Sequence, residues 1–311
     1  MTQGRRPWVA AALSVVAPGT GHFYDGDPGR GAAAWFVAHL VRHVGLWSIL
    51  LSDGRLALVG YLASWAVAAA VVAIDAGRRA LAAPPAPRAW WDRWAVYLAA
   101  VPIAIIASSL WMTLIDGRLV GAMRIRTDAM APTFMAGDRL FASPIGIPHV
   151  RGDLVVYRFW QTRYVKRIAG VPGDTLAMRD GVLRVDGRVV TEPYAVHTGE
   201  SDVVDRRFAW QRRYLVQPAE SAGYAPTLRH WGPIVVPARN YFVLGDNRGE
   251  TSDSRYIGFV EDSALIARPL AIYFARDPRT GRVRWERIGS TPSRDYHDGA
   301  DDHYRRDTDS R

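Results

Sequence analysis

The sequence predicts a protein of two parts, in which transmembrane α-helices are followed by a soluble domain built mainly of β-strands. Three long apolar runs occupy residues 31–52, 56–75 and 94–115. Each run has about the 20 residues that a helix needs to cross a hydrocarbon layer of about 30 Å. After Asp116 the sequence changes to short alternating segments that are broken by Gly, Pro and Asp. We therefore expect a membrane-embedded first third and a globular remainder.

The placement of arginine predicts the orientation of the three spans. Basic residues are frequent before the first run and between the second and third, whereas the connector between the first and second carries Arg55 alone. The positive-inside rule then places residues 1–30 in the cytoplasm and residues 116–280 on the outer side. A short apolar segment, Trp8–Ala17, is read as interfacial or re-entrant. The alternative is the core of a signal peptide, whose cleavage would reverse this parity.

Composition excludes several classes of function. The formal charge of +9 comes from dispersed arginines without a nucleic-acid motif, which favours a surface near anionic lipid over a nucleic-acid partner. With no cysteine in the chain, disulfides, thiolate catalysis and Cys-based metal sites are excluded. No metal or organic cofactor is expected. Within the first span, His39, Arg42 and His43 share one helix face, and a polar seam between helices is preferred to a proton path.

The outer domain is expected to be a turn-rich sheet. Strands are predicted at 154–157, 163–168 and 241–244, and a hairpin at 181–190 around the Asp186-Gly187 turn. A less regular insertion covers about residues 191–237. The charged segment 281–311 is expected to be a disordered tail.

Lys166 is the one lysine among 39 basic residues. Arginine remains protonated at any accessible pH, whereas a buried lysine amine can lose its proton and act as a general base. The retention of lysine here therefore indicates chemistry that arginine cannot perform. The alternative is a chance survivor in an ordinary strand.

Four segments, one of them containing Lys166, form a recognisable pattern. They are 127–133 (Thr-Asp-Ala-Met-Ala-Pro-Thr), 151–157 (Arg-Gly-Asp-Leu-Val-Val-Tyr), 164–174 around the lysine, and 245–248 (Gly-Asp-Asn-Arg) continuing to 255. In this order they resemble type I signal peptidases, the membrane-anchored Ser/Lys endopeptidases of the leader peptidase family that remove signal peptides from exported proteins. The resemblance covers about residues 120–275.

The resemblance implies a mostly-β signal-peptidase domain with antiparallel sheets and a partly closed, barrel-like core. It also implies a dyad in which a neutral lysine takes the proton of a nucleophilic serine. Lys166 matches the general base, but Ala129 stands at the position of the serine. A methyl group has neither a lone pair nor a proton to give. The chain as written is therefore predicted to be an inactive or severely impaired hydrolase.

The remaining roles are also implied by the resemblance. Thr127 and the backbone N–H of Ala129 would hold the oxyanion, and Thr251 would orient the lysine amine. The expected framework beside the base is Asp246, Asn247, Arg248, Asp253 and Arg255. An extended substrate would lie between a strand at 126–130 and one at 162–165, and it would add a strand through main-chain hydrogen bonds. The residues expected to contact it are Met130, Pro132, Tyr164 and Val165.

The resemblance further implies a multi-pass protein of the bacterial inner (cytoplasmic) membrane with its catalytic domain on the periplasmic side. The expected partners are signal peptides with small residues at −1 and −3, the lipid bilayer and the secretion translocon. Self-cleaving Ser/Lys repressors share this catalytic logic, but they lack membrane spans and so fit the sequence less well.

Ala129 leaves three hypotheses open. In the first, the chain is a signal peptidase whose natural residue here is serine, and the alanine is an engineered change or a sequencing difference. In the second, it is a natural pseudo-peptidase that binds signal-peptide-like segments without cutting them. In the third, Thr127 or another hydroxyl is a substitute nucleophile, and for Thr127 the angle of attack would change. Retention of Lys166 favours an active ancestor close to this chain.

Overall fold

A computed structural model describes residues 5–51, 55–82, 94–114, 120–144, 146–147, 149–199, 202–217 and 222–291. The chain divides into two compact units, Met1–Gly121 and Ala122–Arg311. The described part of the first unit is helical. The described part of the second consists mainly of β-strands, as the sequence predicts.

Five helices are present in the described part of the first unit: α1 (Pro7–Val16), α2 (Thr20–Tyr24), α3 (Pro28–Leu51), α4 (Arg55–Ala82) and α5 (Trp94–Leu114). Small side chains line their contacts. Ala10 of α1 is buried in one cluster with Ala76 and Ala80 of α4, and Ala38 of α3 clusters with Ala68 of α4. Small residues let helix backbones approach closely, which favours helix association in an apolar surrounding.

Among the residues described, one of the three predicted spans is long and apolar enough to cross a membrane. It is Leu58–Ala82 within α4. The described apolar part of α5 is the shorter helix Ala99–Trp111, and α3 carries His39 and Arg42, which lower its mean hydropathy. The multi-pass topology therefore stays a prediction.

The polar residues of α3 lie in a helix–helix contact. Arg42 is only 4% exposed, and its Nη1 donates to the hydroxyl of Tyr61 on α4 over 3.4 Å. His39 is also buried, and its Nδ1 lies 2.8 Å from the carbonyl oxygen of Trp35 one turn earlier. These contacts support the polar seam that the sequence suggests.

Eleven strands are described in the second unit: β1 (Gly121–Arg124), β2 (Asp138–Ser143), β3 (Leu154–Phe159), β4 (Thr162–Gly170), β5 (Thr175–Arg179), β6 (Val182–Val185), β7 (Arg188–Val189), β8 (Trp231–Val235), β9 (Asn240–Leu244), β10 (Val260–Glu261) and β11 (Leu265–Ala275). A short helix, α6 (Ser254–Ile257), follows β9. The predicted strands 154–157, 163–168 and 241–244 are thus confirmed.

The strands form two sheets of seven and four strands. The larger has the order β1-β2-β11-β3-β4-β9-β10, and the smaller has the order β7-β6-β5-β8. The pairings of β11 with β2 and β3, of β4 with β3 and β9, and of β5 with β6 and β8 are antiparallel. The expected barrel-like closure is wrong for the described strands. The larger sheet ends at β1 and β10, which have only four and two residues and do not pair with each other.

Apolar side chains of both sheets supply the core. Leu176, Met178 and Leu183 of the smaller sheet pack with Trp231 and Phe242 in one cluster. Two further clusters lie on the larger sheet, one of which includes Met130 and Phe134 beside the predicted site. Full burial of each such side chain contributes roughly 1.5–3 kcal/mol, so these clusters hold the turns that carry the site.

The predicted hairpin at 181–190 is present as β6 and β7. Its turn residues Asp186 and Gly187 have φ values of 51° and 78°. Two successive positive φ values are typical of the tight turn that matches strand twist, and glycine adopts this conformation without a steric penalty.

The predicted insertion and tail contain regular structure. Within 191–237 the chain forms a 3-10 segment, Arg206–Tyr214, and then β8. The expectation of a disordered tail from 281 is wrong as far as residue 291. Val283 bridges Arg276, and Gly289 N–H donates to the carbonyl of Ile272, so backbone pairing to β11 outweighs the polar composition. The rest of the predicted tail, 292–311, lies outside the described residues.

Candidate active site

A groove in the β-domain brings together two of the four sequence segments. It is lined by residues 123–127, 129 and 130 on one side and by 161–166 on the other, and its volume is about 510 Å³. Lys166 and Ala129 both line it. The predicted base and the predicted nucleophile position therefore face the same space.

Lys166 lies on β4, opposite Val155 of β3. It is 3% exposed. Burial lowers the pKa of Lys166 from 10.5 to about 8, although the nearby negative charges of Asp253 and Asp246 oppose the shift. Because water stabilises an ammonium group better than a protein interior does, the dry site favours the neutral amine that a general base requires.

The segment that carries Ala129 forms a tight turn, so the strand predicted at 126–130 is wrong. Ala131 N–H donates to the carbonyl of Asp128 over 2.9 Å, and Phe134 N–H donates to that of Met130 over 2.8 Å. The Asp128 carboxylate accepts the N–H of Ala136 over 2.8 Å. These short-range bonds satisfy backbone groups that strand pairing would otherwise need.

Asn247 attaches this turn to the end of β9. Its backbone N–H donates to the carbonyl of Ala129 over 3.3 Å, and its side-chain Nδ2 donates to that of Asp128 over 3.3 Å. The amide oxygen of Asn247 accepts a 2.7 Å hydrogen bond from Thr198 Oγ1. Since Thr198 occupies the acceptor end of the amide, the donor end faces the turn.

The structure places the two predicted hydroxyl groups differently. Thr127 lines the groove beside Ala129, where its oxyanion role was expected. Thr251 is buried, but its Oγ1 has no hydrogen-bond partner among the described residues. The predicted bond to the lysine amine is therefore not formed. Oγ1 packs instead against Gly245, where an added Cβ would lie 2.3 Å from it and 2.6 Å from the carbonyl oxygen of Ala129.

The predicted framework consists of buried ion pairs. Arg167 contacts Asp246 through Nε–Oδ1 (2.9 Å) and Nη2–Oδ2 (2.7 Å), and Thr133 Oγ1 donates to the same carboxylate over 2.6 Å. Arg255 makes a similar two-point contact with Asp253. Such paired geometry offsets the cost of burying two charges.

The insertion contributes a partner for this framework. Glu192 accepts a hydrogen bond from Arg248 Nη2 over 2.5 Å, and the guanidinium of Arg167 stacks 3.6 Å from the ring centre of Tyr194. Burial lowers the pKa of Arg167, but hydrogen bonds and the charge of Asp246 outweigh it and raise the pKa above its usual value. The same balance, with Glu192 as partner, raises the pKa of Arg248. Both cations stay charged.

Three of the four residues expected to contact substrate line the groove. They are Met130, Tyr164 and Val165. Pro132 lies outside the groove lining and is exposed. Its carbonyl accepts a hydrogen bond from Arg287 Nη1 over 3.2 Å.

Arg287 is a contact that the sequence did not indicate. Its guanidinium also donates to the carbonyl of Thr133 over 2.9 Å and to Asp138 over 2.7 Å. It lies in a segment whose polar composition suggests disorder, and no motif marks it. The contacts of Thr198 and Glu192 were also not predicted, because both residues lie in the irregular insertion and no motif marks them.

Comparison with known proteins identifies the family of the chain. Residues 93–274, more than half of the chain, match the family model described as signal peptidase, peptidase S26. Signal peptidase I S of Bacillus subtilis (strain 168) is 32% identical over 156 residues, which are 49% of this chain and 75% of that protein. Signal peptidase I of Pseudomonas aeruginosa is 28% identical over 206 residues, covering 55% of this chain and 71% of that protein.

A solved relative is the signal peptidase I of Enterococcus faecalis V583. It is 29% identical and covers 40% of this chain and 98% of its own, with a TM-score of 0.27. The family match and the sequence relatives decide the assignment: the chain belongs to the signal peptidase family, peptidase S26, whose signal peptidase I members are serine endopeptidases that remove signal peptides.

Proposed function

We propose that this chain is a membrane-bound protein of the signal peptidase I type that has Lys166 as its general base and does not cleave while residue 129 is alanine. The observation that carries the proposal is the buried amine of Lys166, which has a pKa of about 8 and lines the same groove as Ala129. A partly neutral lysine beside the nucleophile position is what Ser/Lys chemistry requires.

We assign roles to the groove residues from the Ser/Lys chemistry that the family uses. A serine hydroxyl at position 129 would attack the scissile carbonyl, and the Lys166 amine would accept its proton. The N–H of residue 129 and the hydroxyl of Thr127 would stabilise the negative charge on the carbonyl oxygen. With Ala129 in place, no atom at this position can attack. Loss of the nucleophile in hydroxyl proteases lowers turnover by a factor on the order of 10⁶.

The substrate is a signal peptide that binds in extended form. The edges of the groove at 123–127, 129–130 and 161–166 leave room for a chain between them, and such a chain gains backbone hydrogen bonds by strand addition. Met130, Tyr164 and Val165 would contact its side chains, and small residues would occupy positions −1 and −3. Pro132 would not contact the substrate. Its carbonyl accepts a hydrogen bond from Arg287, which holds the turn.

Members of the family are typically membrane-anchored, and the helical unit is the proposed anchor here. Leu58–Ala82 is the described helix that could cross a bilayer by length and composition. With additional crossings at 31–52 and 94–115, the arginine distribution would place the catalytic domain on the periplasmic side of the bacterial inner membrane. The bilayer and the secretion translocon are then its neighbours.

A second candidate function is binding of signal-peptide-like segments without cleavage. An intact groove beside Ala129 favours it, because the groove and its framework retain their geometry without a nucleophile. This pseudo-peptidase would still recognise peptides with small residues at −1 and −3.

Cleavage of a preprotein with an Ala-x-Ala site tests the proposal. Three full-length proteins in detergent are compared: the chain as written, Ala129→Ser, and Ala129→Ser combined with Lys166→Met. We expect cleavage by Ala129→Ser alone. Robust cleavage by the chain as written, or by the variant without the lysine, would contradict the assignment. If Ala129→Ser binds the preprotein but does not cut it, the binding function is supported instead.

A further inference from the structure

The groove beside Ala129 has an unbalanced charge. Its described lining includes Arg124, Arg126, Arg163 and Lys166, and no aspartate or glutamate is among the lining residues. The three arginines are all exposed. Met130, Tyr164 and Val165 give the groove apolar patches, but every ionisable group of opposite sign is missing from its described walls.

These three arginines also have no protein partner among the residues that the structure describes. Within the described part of the chain, none of Arg124, Arg126 and Arg163 forms an ion pair or side-chain hydrogen bond. By contrast, Arg167, the next residue after Lys166, forms an ion pair with Asp246. A guanidinium with free N–H groups can bind a carboxylate through two parallel hydrogen bonds. The described walls of the groove therefore present cations that the carboxylate of a ligand can neutralise.

The positions of the arginines indicate which part of a substrate they face. Arg126 and Arg124 precede residue 129 by three and five residues, and Arg163 precedes Lys166 by three on β4. A fully extended chain rises about 3.3 Å per residue, which sets the upper limit of the distance between each arginine and the cleaved bond. Peptide side chains within about five residues of the cleaved bond therefore come within reach of these cations.

We propose that the groove selects signal peptides by charge: among those with small residues at −1 and −3, it favours a carboxylate within five residues of the cleaved bond and disfavours Lys or Arg there. Arg126 and Arg163 are the specificity-determining residues for a charge three residues from the cleaved bond, and Arg124 is the one for a charge five residues from it. This inference rests on the proposed function, because it names the substrate class of the same groove.

Anionic lipid is the other chemistry that exposed arginines attract. The peptide is favoured because the three side chains line one concave groove together with the predicted base. A flat bilayer does not need a groove, and the arginines of a lipid-facing surface do not have to converge on a catalytic lysine. The experiment includes vesicles to separate the two.

The test uses the full chain as written, in neutral detergent, because this chain is expected to bind peptides without cutting them. Three labelled peptides share one Ala-x-Ala site and differ at a single position three residues from the cleaved bond, which is Glu, Gln or Lys. A second set has the variable residue on the other side of that bond. Fluorescence anisotropy gives the Kd of each peptide, and kcat/KM is measured with Ala129→Ser.

We expect the Glu peptide of at least one set to bind about threefold more tightly than the Gln peptide, and the Lys peptide about threefold more weakly. This follows for one pair of unit charges about 6 Å apart in water. The Glu-to-Lys ratio should fall below about twofold in 0.5 M NaCl, because salt screens exposed charges. This order of affinities (Glu, then Gln, then Lys) should disappear in the Arg126→Gln/Arg163→Gln double variant. It should persist in Arg188→Gln, which changes an exposed arginine outside the groove.

Equal affinities for all three peptides of both sets, or an order that survives the double variant, would overturn the inference. So would a double variant that loses binding to anionic vesicles but keeps the peptide order, since the arginines would then serve lipid. Failure of the proposed function looks different: the Gln peptide would then neither bind to the chain as written nor be cut by Ala129→Ser.

Discussion

Replacing Lys166 by methionine should stabilise the protein below pH 8 while removing the proposed base. Methionine keeps an unbranched apolar side chain but leaves no amine to desolvate. In the folded protein the pKa of Lys166 is about 8, against 10.5 for the free side chain. Each unit of difference corresponds to 1.36 kcal/mol, so a charged Lys166 destabilises the fold by about 3 kcal/mol at pH 7.

The pH dependence of this effect has a defined sign. Because burial lowers the folded-state pKa, the unfolded chain binds more protons between pH 8 and 10.5, and the stability of the lysine protein rises through that window. The methionine variant lacks this term. The free energy of unfolding of the methionine variant should therefore exceed that of the lysine protein by about 3 kcal/mol at pH 7 and by less than about 1 kcal/mol at pH 10.5.

Chemical unfolding of the full chain in detergent, followed by tryptophan fluorescence at several pH values, measures this difference. Arg163→Met is the matched control, because Arg163 lies on the same strand but is exposed. It should change stability by less than about 0.5 kcal/mol at each pH. The argument that the amine is held in a desolvating site would be refuted by either of two results. Lys166→Met would show no gain in unfolding free energy at pH 7, or it would show the same gain at pH 7 and at pH 10.5.

Three other predictions concern the same site. For Ala129→Ser, kcat/KM should rise about tenfold per pH unit and level off near pH 8, where Lys166 becomes neutral; a flat profile from pH 6 to 9 would exclude this lysine as the base. Adding Arg287→Gln should lower kcat more than tenfold with KM within twofold, because Asp138 and two carbonyls of the turn lose a partner; equal changes in both constants would point to a role in binding. Gly245→Ala should destabilise the domain by about 1–3 kcal/mol in unfolding experiments, since its Cβ would lie 2.6 Å from the carbonyl oxygen of Ala129; unchanged stability would show that the turn can move away.

Much of the β-domain could be predicted from local signals. The hairpin at 181–190 carries an Asp-Gly turn, and the strands at 154–157 and 241–244 are apolar runs bounded by turn residues. Each of these signals depends on neighbouring residues alone. The extent of sheet closure depends instead on which distant edges pair, and this is why the expected barrel could not be judged from strand patterns.

The site was predictable where a motif contained its residues, and incomplete where it depended on distant partners. Ala129 and Lys166 share a groove, as the order of the segments implies. Arg287 could not be predicted because it lies in a polar stretch and donates to backbone carbonyls. Every residue has such a carbonyl, so no residue type marks the contact. Thr251 differs in another way. It has the hydroxyl that the resemblance implies for orienting the lysine amine, but in the structure this hydroxyl packs against Gly245.

The buried cations of the domain explain why one position kept lysine in an arginine-rich chain. Arg167, Arg248 and Arg255 are each buried against a carboxylate, and such a partner makes a permanent charge tolerable. Lys166 is equally buried, yet it has no ion-pair partner among the described residues. An arginine there would remain charged and unpaired, at a cost of several kcal/mol. Lysine can lose its proton instead, so the property that lets the site fold is also the one that its chemistry needs.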